Sequence, residues 1–448
     1  MPATHVTKAV ADYVVDSRAE DVPEDVRHEA LRAMVNIVGC AVGGAREPAA
    51  DVAVATFSPF FGPATAAIVG RREKADPLHA ALLNGITSHV HDYDDTLPKN
   101  YIHASSPVAS ALLAYASSNT VSGRDLVHAF ILGFEVTSRI GNATYPAHYD
   151  AGWHSTGTCG VFGAAVAIGK LIGLNGAQMI NAIGLAATQA AGVREMFGSM
   201  GKALHPGRAA QNGIGAALLA RNGFTAGAYG LEGPRGFAPV LSARYDLSRL
   251  TDGLGRDFDL RENTYKPFPC GIVNHPSIDA AIQLREEHGL SAEAIRSASL
   301  KVAPLVMDLC GKRNISKGLE GKFSVVHGTA VGLVRGKAGL QEYTDAAVND
   351  PEIRRVREAI TLEGDSTVSE DSSRLRVELQ DGRVLTKEVL HSLGNLKRPL
   401  SDALLDAKFR DQAARVLAPA QVDTLLNRCW KLAELSDAGE LVAASVPG

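Results

Sequence analysis

The sequence predicts a mainly α-helical protein, with a large all-helical domain and a smaller α+β lid domain. The chain has 448 residues, more than a single hydrophobic core usually organises. Helical periodicity runs to about residue 260, and strand patterns begin only after residue 264. We therefore expect residues 1–265 to form the helical domain and residues 266–395 the lid domain. Residues 396–448 should pack back on the first domain.

The helical part is rich in small residues. In DVPEDVRHEALRAMVNIVGCAVGG, Pro23 is typical of a helix start, apolar residues recur every three or four positions from Val26 to Ala41, and Gly43-Gly44 ends the pattern. Later segments, GVFGAAVAIGKLIGL, MINAIGLAATQAAGV and GRAAQNGIGAALLARNGF, combine helical spacing with many Ala and Gly residues. Small side chains let helix axes approach closely, so we expect a dense domain with buried central helices.

The lid domain is predicted from alternation. SASLKVAPLV alternates as a strand does, and in SRLRVELQDGRVLTKEV charged residues alternate with Leu375, Val377 and Leu379 before an Asp381-Gly382 turn. That turn predicts a β-hairpin. Helical patterns lie between these strands, in SIDAAIQLREEHG and FSVVHGTAVGLVRG, and residues 400–435 again read as amphipathic helix.

Composition excludes several classes of function. The net charge of −4 and the lack of Lys/Arg runs argue against nucleic-acid binding. The charge-poor segment 151–169 has too short an apolar run to span a membrane, and the N-terminus does not read as a signal peptide. The five cysteines are scattered and odd in number, which is typical of reduced thiols in the cytoplasm.

The stretch HDYDDTLPKNYIH places three carboxylates between His91 and His103, directly after an apolar helical run. A calcium loop needs Gly and Glu where this stretch has Leu97 and His103. A transition-metal site on His89 and His91 is disfavoured because residues two apart on a helix point to different faces. We therefore predict no metal; a solvated helix cap and an acid–base centre remain as alternatives.

Four segments, 96–124, 151–194, 196–231 and 263–278, contain no Asp or Glu, yet each carries cations or histidines. Burial alone accounts for most of the second segment. In MGKALHPGRAAQNG, however, Lys202, His205 and Arg208 recur at i, i+3 spacing and could present one positive face to a small anion. Walker, GxGxxG and nucleophile-elbow patterns fail, so the residues favour proton transfer on a small carboxylate substrate.

The same segments resemble the MmgE/PrpD family, whose members include 2-methylcitrate dehydratases, cis-aconitate decarboxylases and iminodisuccinate epimerases. The resemblance lies in LLNGITSHVHDYDDT, IHASSPVASALLA, GWHSTGTCGVFGAAVAIGKLIGL, MGKALHPGRAAQNGIGAALLARNGF and YKPFPCGIVNHPSIDAA. It implies a helical domain, a lid domain, a homodimer, a site in the cleft between the domains and no cofactor.

The resemblance also implies site residues. We expect His103 to be the principal acid–base, oriented by Asp92 and held protonated by it, with His154 as the second acid–base. Lys202 and Lys266 should clamp substrate carboxylates. The substrate-binding candidates are Thr96, which should donate a hydrogen bond, and His205 and His275, which stand in the same motifs. Arg208 is a further candidate, from the i, i+3 spacing alone.

A cofactor-free hydro-lyase of a di- or tricarboxylate, similar to 2-methylcitrate dehydratase, is the leading function. An epimerase of an iminodisuccinate-like dicarboxylate is the first alternative, and a non-catalytic carboxylate-binding protein is another. A decarboxylase is disfavoured because Gly271 stands where the cis-aconitate decarboxylase pattern has a histidine, five places after Lys266. The stretch LPKNYIHASSP also lacks the HPSDN motif of dedicated 2-methylcitrate dehydratases.

Overall fold

The computed structural model describes residues 5–448 as a mainly helical chain. The helices before residue 265 are α1 (Val6–Asp16), α2 (Glu24–Gly44), α3 (Pro48–Phe57), α4 (Pro77–His89), α5 (Ser105–Ala116), α6 (Gly123–Thr144), α7 (Ala147–Asp150), α8 (Ser155–Leu171), α9 (Gly176–Ala187), α10 (Gly201–Arg221) and α11 (Phe237–Leu241). Those after it are α12 (His275–His288), α13 (Pro304–Cys310), α14 (Gly318–Gly321), α15 (Val325–Arg335), α16 (Asp345–Val348), α17 (Pro351–Glu358), α18 (Asp402–Ala413), α19 (Pro419–Trp430) and α20 (Gly439–Ala444).

Two sheets accompany the helices. A short antiparallel pair, β1 (Ala66–Ala67) and β2 (Lys74–Ala75), lies within the otherwise helical first part. The second sheet contains β3 (Ile295–Val302), β4 (Ile360–Gly364), β5 (Ser373–Leu379) and β6 (Val384–Val389), in the order β4-β3-β5-β6. Strand β3 pairs in parallel with β4 and antiparallel with β5, and β5 and β6 form an antiparallel hairpin.

The buried apolar side chains form two separate cores. One core runs from α1 to Tyr265 and also takes in side chains of α18, α19 and α20. The other lies between Cys270 and Val389 and includes β3, β5, α12 and α15. Helix α18 packs on α2, so the C-terminal helices contact the first core. We propose domain limits at residues 265/266 and 395/396, as the sequence analysis suggested.

Most elements agree with the expectations from sequence. The predicted helix after Pro23 is α2, and the predicted hairpin is β5–β6, with Gly382 at φ +88° in its turn. The expected strand in SASLKVAPLV ends earlier than the pattern suggests, because Pro304 begins α13. Within residues 5–448, no helix combines the length and apolarity that crossing a bilayer requires.

Glycines allow the central helices to approach closely. Helix α10 packs on both α4 and α8. A Cβ atom on Gly85 would lie 2.4 Å from the Gly207 Cα atom, and one on Gly213 would lie 2.4 Å from the Ala164 Cβ atom. The first approach lets α10 pack on α4 and the second lets it pack on α8. The first turn of α10 and the last turn of α4 both carry side chains of the site described below.

We predict that Gly207→Ala destabilises the fold by about 1–3 kcal/mol, because overpacking a dense core forces backbone shifts. Its Cβ atom would lie 2.4 Å from the Leu82 carbonyl oxygen. Gly215→Ala on the same helix is the matched control, since a Cβ there meets nothing within 4 Å. Thermal unfolding should show a lower midpoint for the first variant only; equal midpoints would contradict the packing argument.

Candidate active site

The site begins where α4 ends. Residues 90–95 leave the helix in a tight path in which Asp92 adopts a left-handed conformation, with φ +52°. A non-glycine residue in this region is strained unless its surroundings hold it there. The Asp92 amide donates to the His89 carbonyl at 2.9 Å, and the Asp92 carboxylate is buried.

The Asp92 carboxylate binds two lysines. Its Oδ1 atom accepts from Lys202 Nζ of α10 at 2.8 Å and from Lys266 Nζ at 2.7 Å. Burial opposes ionisation of Asp92, but the two ammonium groups outweigh it and hold the pKa of this carboxyl well below its usual range. Asp92 is therefore a carboxylate at neutral pH, and it brings the two cations to one point.

The two ammonium groups differ in what they can still bind. Lys266 Nζ also donates to the Asp92 carbonyl at 3.0 Å and to the Cys270 carbonyl at 3.2 Å, so its three N–H groups are all used. Lys202 Nζ donates to Asp92 and to His89 Nε2 at 2.9 Å. Within the described residues, one N–H of Lys202 thus stays available to a ligand.

Asp94 orients two histidines. It accepts from His89 Nδ1 at 2.8 Å, and its Oδ2 atom lies 3.3 Å from His103 Nδ1, which is also 3.2 Å from Thr96 Oγ1. His89 Nε2 accepts from Lys202, so His89 is the neutral tautomer with hydrogen on Nδ1. Burial lowers the pKa of His89 to about 4, in agreement.

His103 is a neutral base in this environment. Burial lowers its pKa; the Asp94 carboxylate raises it, and the Lys266 and Lys202 ammonium groups lower it further. Because Nδ1 faces Asp94, the lone pair lies on Nε2. The expected role of Asp92 as the orienting group is wrong: Asp92 Oδ1 is 3.8 Å from His103 Nε2, beyond hydrogen-bonding distance, and the net shift does not favour the protonated form.

His154 precedes α8 and is backed by a second imidazole. Its Nδ1 atom lies 2.8 Å from His205 Nδ1, so one ring donates to the other. Burial, together with the Lys202 charge, holds the pKa of His154 well below its usual range, and burial lowers that of His205 to about 4. The ring centroids of His103 and His154 are 6.5 Å apart. His154 is buried and His205 only partly so, which gives the pair a connection toward solvent.

These groups surround one cavity between the two cores. Its volume is about 40 Å³, little more than one water molecule occupies. Phe197 and Phe323, from opposite sides of the cleft, stack at 5.4 Å, and Lys202 Nζ lies 5.3 Å from the Phe197 ring. The cavity is lined by Asp92, Thr96, Tyr101, His103, Tyr149, His154, Phe197, Lys202, Lys266, Gly271, Ile272, Val273, Leu309, Cys310 and Phe323. A substrate larger than water requires the domains to separate or the lining to shift.

His89, Asp94 and His103 offer ligand atoms within 4.8 Å of one another, a donor set that suits a divalent metal. The residues fit such an ion poorly, because both Nδ1 atoms already face Asp94 and the Lys202 ammonium sits on the same His89 ring. A metal ion would have to displace these contacts beside a fixed positive charge. The absence of a metal stays a prediction.

Two further lysines bind the carbonyls on either side of Asp92. Lys322 Nζ donates to the His91 carbonyl at 2.7 Å, and Lys408 Nζ donates to the Tyr93 carbonyl at 2.7 Å. Both side chains are buried, and burial lowers the pKa of each to about 8. Lys322 comes from the second core and Lys408 from α18, so this short segment joins three parts of the chain.

The structure brings six of the nine predicted site residues to the cavity and leaves three outside it. Arg208 is exposed and donates to Gln211 at 2.5 Å, so its expected place in one positive face with Lys202 is wrong. At 3.6 residues per turn, the side chains of residues six positions apart, such as Lys202 and Arg208, leave the helix in directions that differ by roughly 120°. His205 contacts His154 rather than the cavity, and His275 lies beside a second, larger chamber.

Sequence reasoning missed His89 and Asp94. The signal for Asp94 was present, because it lies in the same acid-rich stretch as Asp92. His89 was considered only as a metal ligand, whereas the structure uses it to connect Lys202 to Asp94. Phe197 and Phe323 carry no pattern that separates them from ordinary core residues.

Comparison with known proteins agrees with this architecture. The family models of the MmgE/PrpD N-terminal and C-terminal domains match residues 8–250 and 268–432. Relatives include a cis-aconitate decarboxylase of Aspergillus terreus, 28% identical over 98% of this chain and 95% of the relative. The cis-aconitate decarboxylase of Homo sapiens is 27% identical over 82% of this chain and 78% of the relative, and the 2-methylcitrate dehydratase of Cupriavidus necator is 24% identical over 93% and 91%. The chain belongs to the MmgE/PrpD family.

Proposed function

We propose that this protein is a cytoplasmic lyase that needs no cofactor and eliminates water from a hydroxylated di- or tricarboxylate. Relatives named decarboxylase and dehydratase support a lyase of small carboxylates. The observation that carries the finer proposal is the pair of neutral imidazoles, His103 and His154, with centroids 6.5 Å apart beside a free N–H of Lys202. Elimination of water needs a base, an acid and a cation near the developing charge.

In the proposed reaction, His103 Nε2 takes the proton from the carbon next to a carboxylate. The C–H electron pair forms the carbon–carbon double bond as the C–O bond breaks. The departing hydroxyl takes the Nε2 proton of His154 and leaves as water, while His205 passes its Nδ1 proton to His154. His205 regains a proton from solvent, and His103 returns its proton to solvent.

Lys202 would stabilise the charge that builds up on the substrate carboxylate during this step. Its free N–H provides a charge-assisted hydrogen bond, which strengthens as the carboxylate becomes enediolate-like. Lys266 has no free N–H, so its contribution is electrostatic unless the Cys270 carbonyl is released when the domains separate. The expected clamp is therefore asymmetric.

A decarboxylase is the second candidate, favoured by the names of the relatives from Aspergillus terreus and Homo sapiens. Gly271 argues against it. A Cβ atom at this position would lie 2.7 Å from Cys310 Sγ, so an imidazole there requires Cys310 to move. The cavity consequently offers no third imidazole on this wall.

We further propose that the protein acts as a homodimer, as the resemblance implies. Two apolar side chains near one end of the helical part are available to such an interface, Val52 on α3 and Phe60 after it, which are 59% and 73% exposed.

A panel of hydroxylated and unsaturated di- and tricarboxylates tests the function. We predict absorbance of a new conjugated alkene from a 2-hydroxy tricarboxylate, without release of CO₂. Release of CO₂ from an unsaturated tricarboxylate would establish the decarboxylase instead. Inversion of an amino or imino dicarboxylate would establish the epimerase, and binding without turnover of any panel member would indicate a non-catalytic protein.

We predict that Asp94→Asn lowers kcat by about 100- to 10,000-fold with little change in KM, because the amide disturbs the tautomer and orientation of His103. Asp94 also raises the pKa of His103, so the acid limb of the kcat/KM profile should move to lower pH in the variant. Steady-state kinetics across pH measures both effects.

Asp95→Asn is the matched control for this change. Asp95 is equally buried but accepts from Ser105 and Asn263 rather than from a histidine. It should cost stability while leaving the pH profile in place. A profile and kcat at wild-type values in Asp94→Asn would remove Asp94 from the mechanism.

We predict that Lys202→Met lowers kcat/KM by about 10- to 100-fold, the loss expected for a hydrogen bond to a charged group. Because the Lys202 ammonium lowers the pKa of His103, the acid limb should move to higher pH, opposite to the shift in Asp94→Asn. Arg208→Met, on the same helix but outside the cavity, is the control. Equal kinetics for Lys202→Met and the control would contradict the proposed role of Lys202.

A further inference from the structure

A second chamber of about 820 Å³ adjoins the catalytic cavity in the same cleft. Its inner wall is apolar and buried, whereas its rim is charged and exposed. The buried apolar wall residues are Tyr265, Val273, Pro276, Ala303 and Val368. The exposed rim residues include Glu262, Glu370, Leu396 and Lys397. The volume lies in the range of ordinary small-molecule sites, about 300–1,000 Å³.

The two spaces share a boundary. Tyr101, Lys266, Ile272 and Val273 line both of them. The Tyr101 hydroxyl donates to Glu370, which ties this boundary to the segment between β4 and β5. A molecule whose carboxylate lies near Lys266 in the catalytic cavity would therefore reach the chamber if Tyr101 moved aside.

The charged groups at the rim are mostly paired with one another. Lys99 contacts Asp259 and Glu262, and His391 contacts Asp371 at 2.9 Å. These pairs leave the chamber with little net attraction for a second anionic group. Its apolar wall instead favours hydrocarbon, whose transfer from water to an apolar surface is favourable in proportion to the area buried.

One polar atom of the wall has no partner among the described residues. His275 Nε2 is buried without a hydrogen bond, and burial lowers the pKa of His275 to about 3, so the ring is neutral. An unpaired buried nitrogen is costly unless something binds it.

We propose that this chamber holds an alkyl chain of the substrate, so that the protein acts on polycarboxylates that carry a linear alkyl substituent. The inference rests on the proposed function, since it assumes that the carboxylate end occupies the catalytic cavity. The catalytic cavity is far too small for a chain, and the chamber is the larger space on the other side of the residues that line both. The substrate then spans both spaces, with its carboxylates on the lysine side.

A series of 2-hydroxy tricarboxylates with linear alkyl substituents of one to eight carbons tests the proposal. We expect kcat/KM to rise about 3- to 4-fold per methylene, until the chamber is filled, because each buried methylene contributes about 0.8 kcal/mol. Values that do not depend on chain length would show that the chamber is only an entrance and would overturn the proposal.

Variants that narrow the chamber provide the matched comparison. Ala303→Phe should lower kcat/KM for long-chain substrates more than for the shortest one, and so flatten the chain-length dependence. Leu396→Trp at the exposed rim is the second variant, and its larger side chain should disturb the fold less than one at a buried position. Leu404→Trp is its control, because the two leucines are 45% and 46% exposed and only Leu396 lines the chamber. An unchanged dependence in both chamber variants would also contradict the proposal.

Turnover and binding separate this inference from the proposed reaction. If no member of the series is turned over, the hydro-lyase proposal fails, and calorimetric affinities of the same compounds then decide the role of the chamber. Affinity that increases with chain length in the wild type, and not in Leu396→Trp, supports the alkyl site. Affinity that is constant along the series, or absent throughout it, overturns the alkyl site.

Discussion

The structure depends on the Asp92 carboxylate, which binds two ammonium groups inside the protein. Lys202 comes from the helical core and Lys266 from the start of the segment leading into the second core, so one oxygen atom joins both sides of the cleft. The carbonyls of residues 91, 92 and 93 bind Lys322, Lys266 and Lys408 in turn. Removing one partner of a buried charge pair typically costs about 3–5 kcal/mol, because the other charge is left uncompensated.

This concentration of charge also sets the protonation of the imidazoles. Burial lowers the pKa of both His103 and His154, and the nearby lysine charges lower both further. The Asp94 carboxylate raises the pKa of His103 and so partly offsets these effects there. His103 therefore keeps a basic lone pair at neutral pH without becoming a cation. The stretch HDYDDTLPKNYIH, whose sequence resembles an acidic helix cap, thus forms a buried network in which carboxylates, ammonium groups and neutral imidazoles are joined by hydrogen bonds.

The sequence predicted the elements well because helical and alternating patterns report directly on local structure. The six cavity residues were predicted from the resemblance to the MmgE/PrpD family, because the segments that carry the resemblance contain all of them. Arg208 was misplaced because i, i+3 spacing drifts around the helix over two steps. Lys322 and Lys408 could not be found, since their partners are backbone carbonyls of a segment more than 200 residues away in the chain.

The catalytic cavity and the neighbouring chamber differ in size and in the polarity of the residues that line them. The polar end holds the groups to which we assign proton transfer, and the chamber offers room that this proposed chemistry does not use. Tyr101 stands between them and bonds to Glu370 across the cleft. The loop that carries Asp92 and His103 therefore also carries the residue that lines both spaces.

The central claim is that His103 Nε2 removes a proton from carbon. Incubating the enzyme in D₂O with a reacting polycarboxylate, and following the carbon-bound hydrogen next to the carboxylate by NMR, tests it most directly. We predict that the wild type removes the carbon-bound hydrogen as the alkene forms and places deuterium on that carbon when water adds back, and that a folded His103→Gln variant does neither. Exchange at the wild-type rate in that variant would contradict the account.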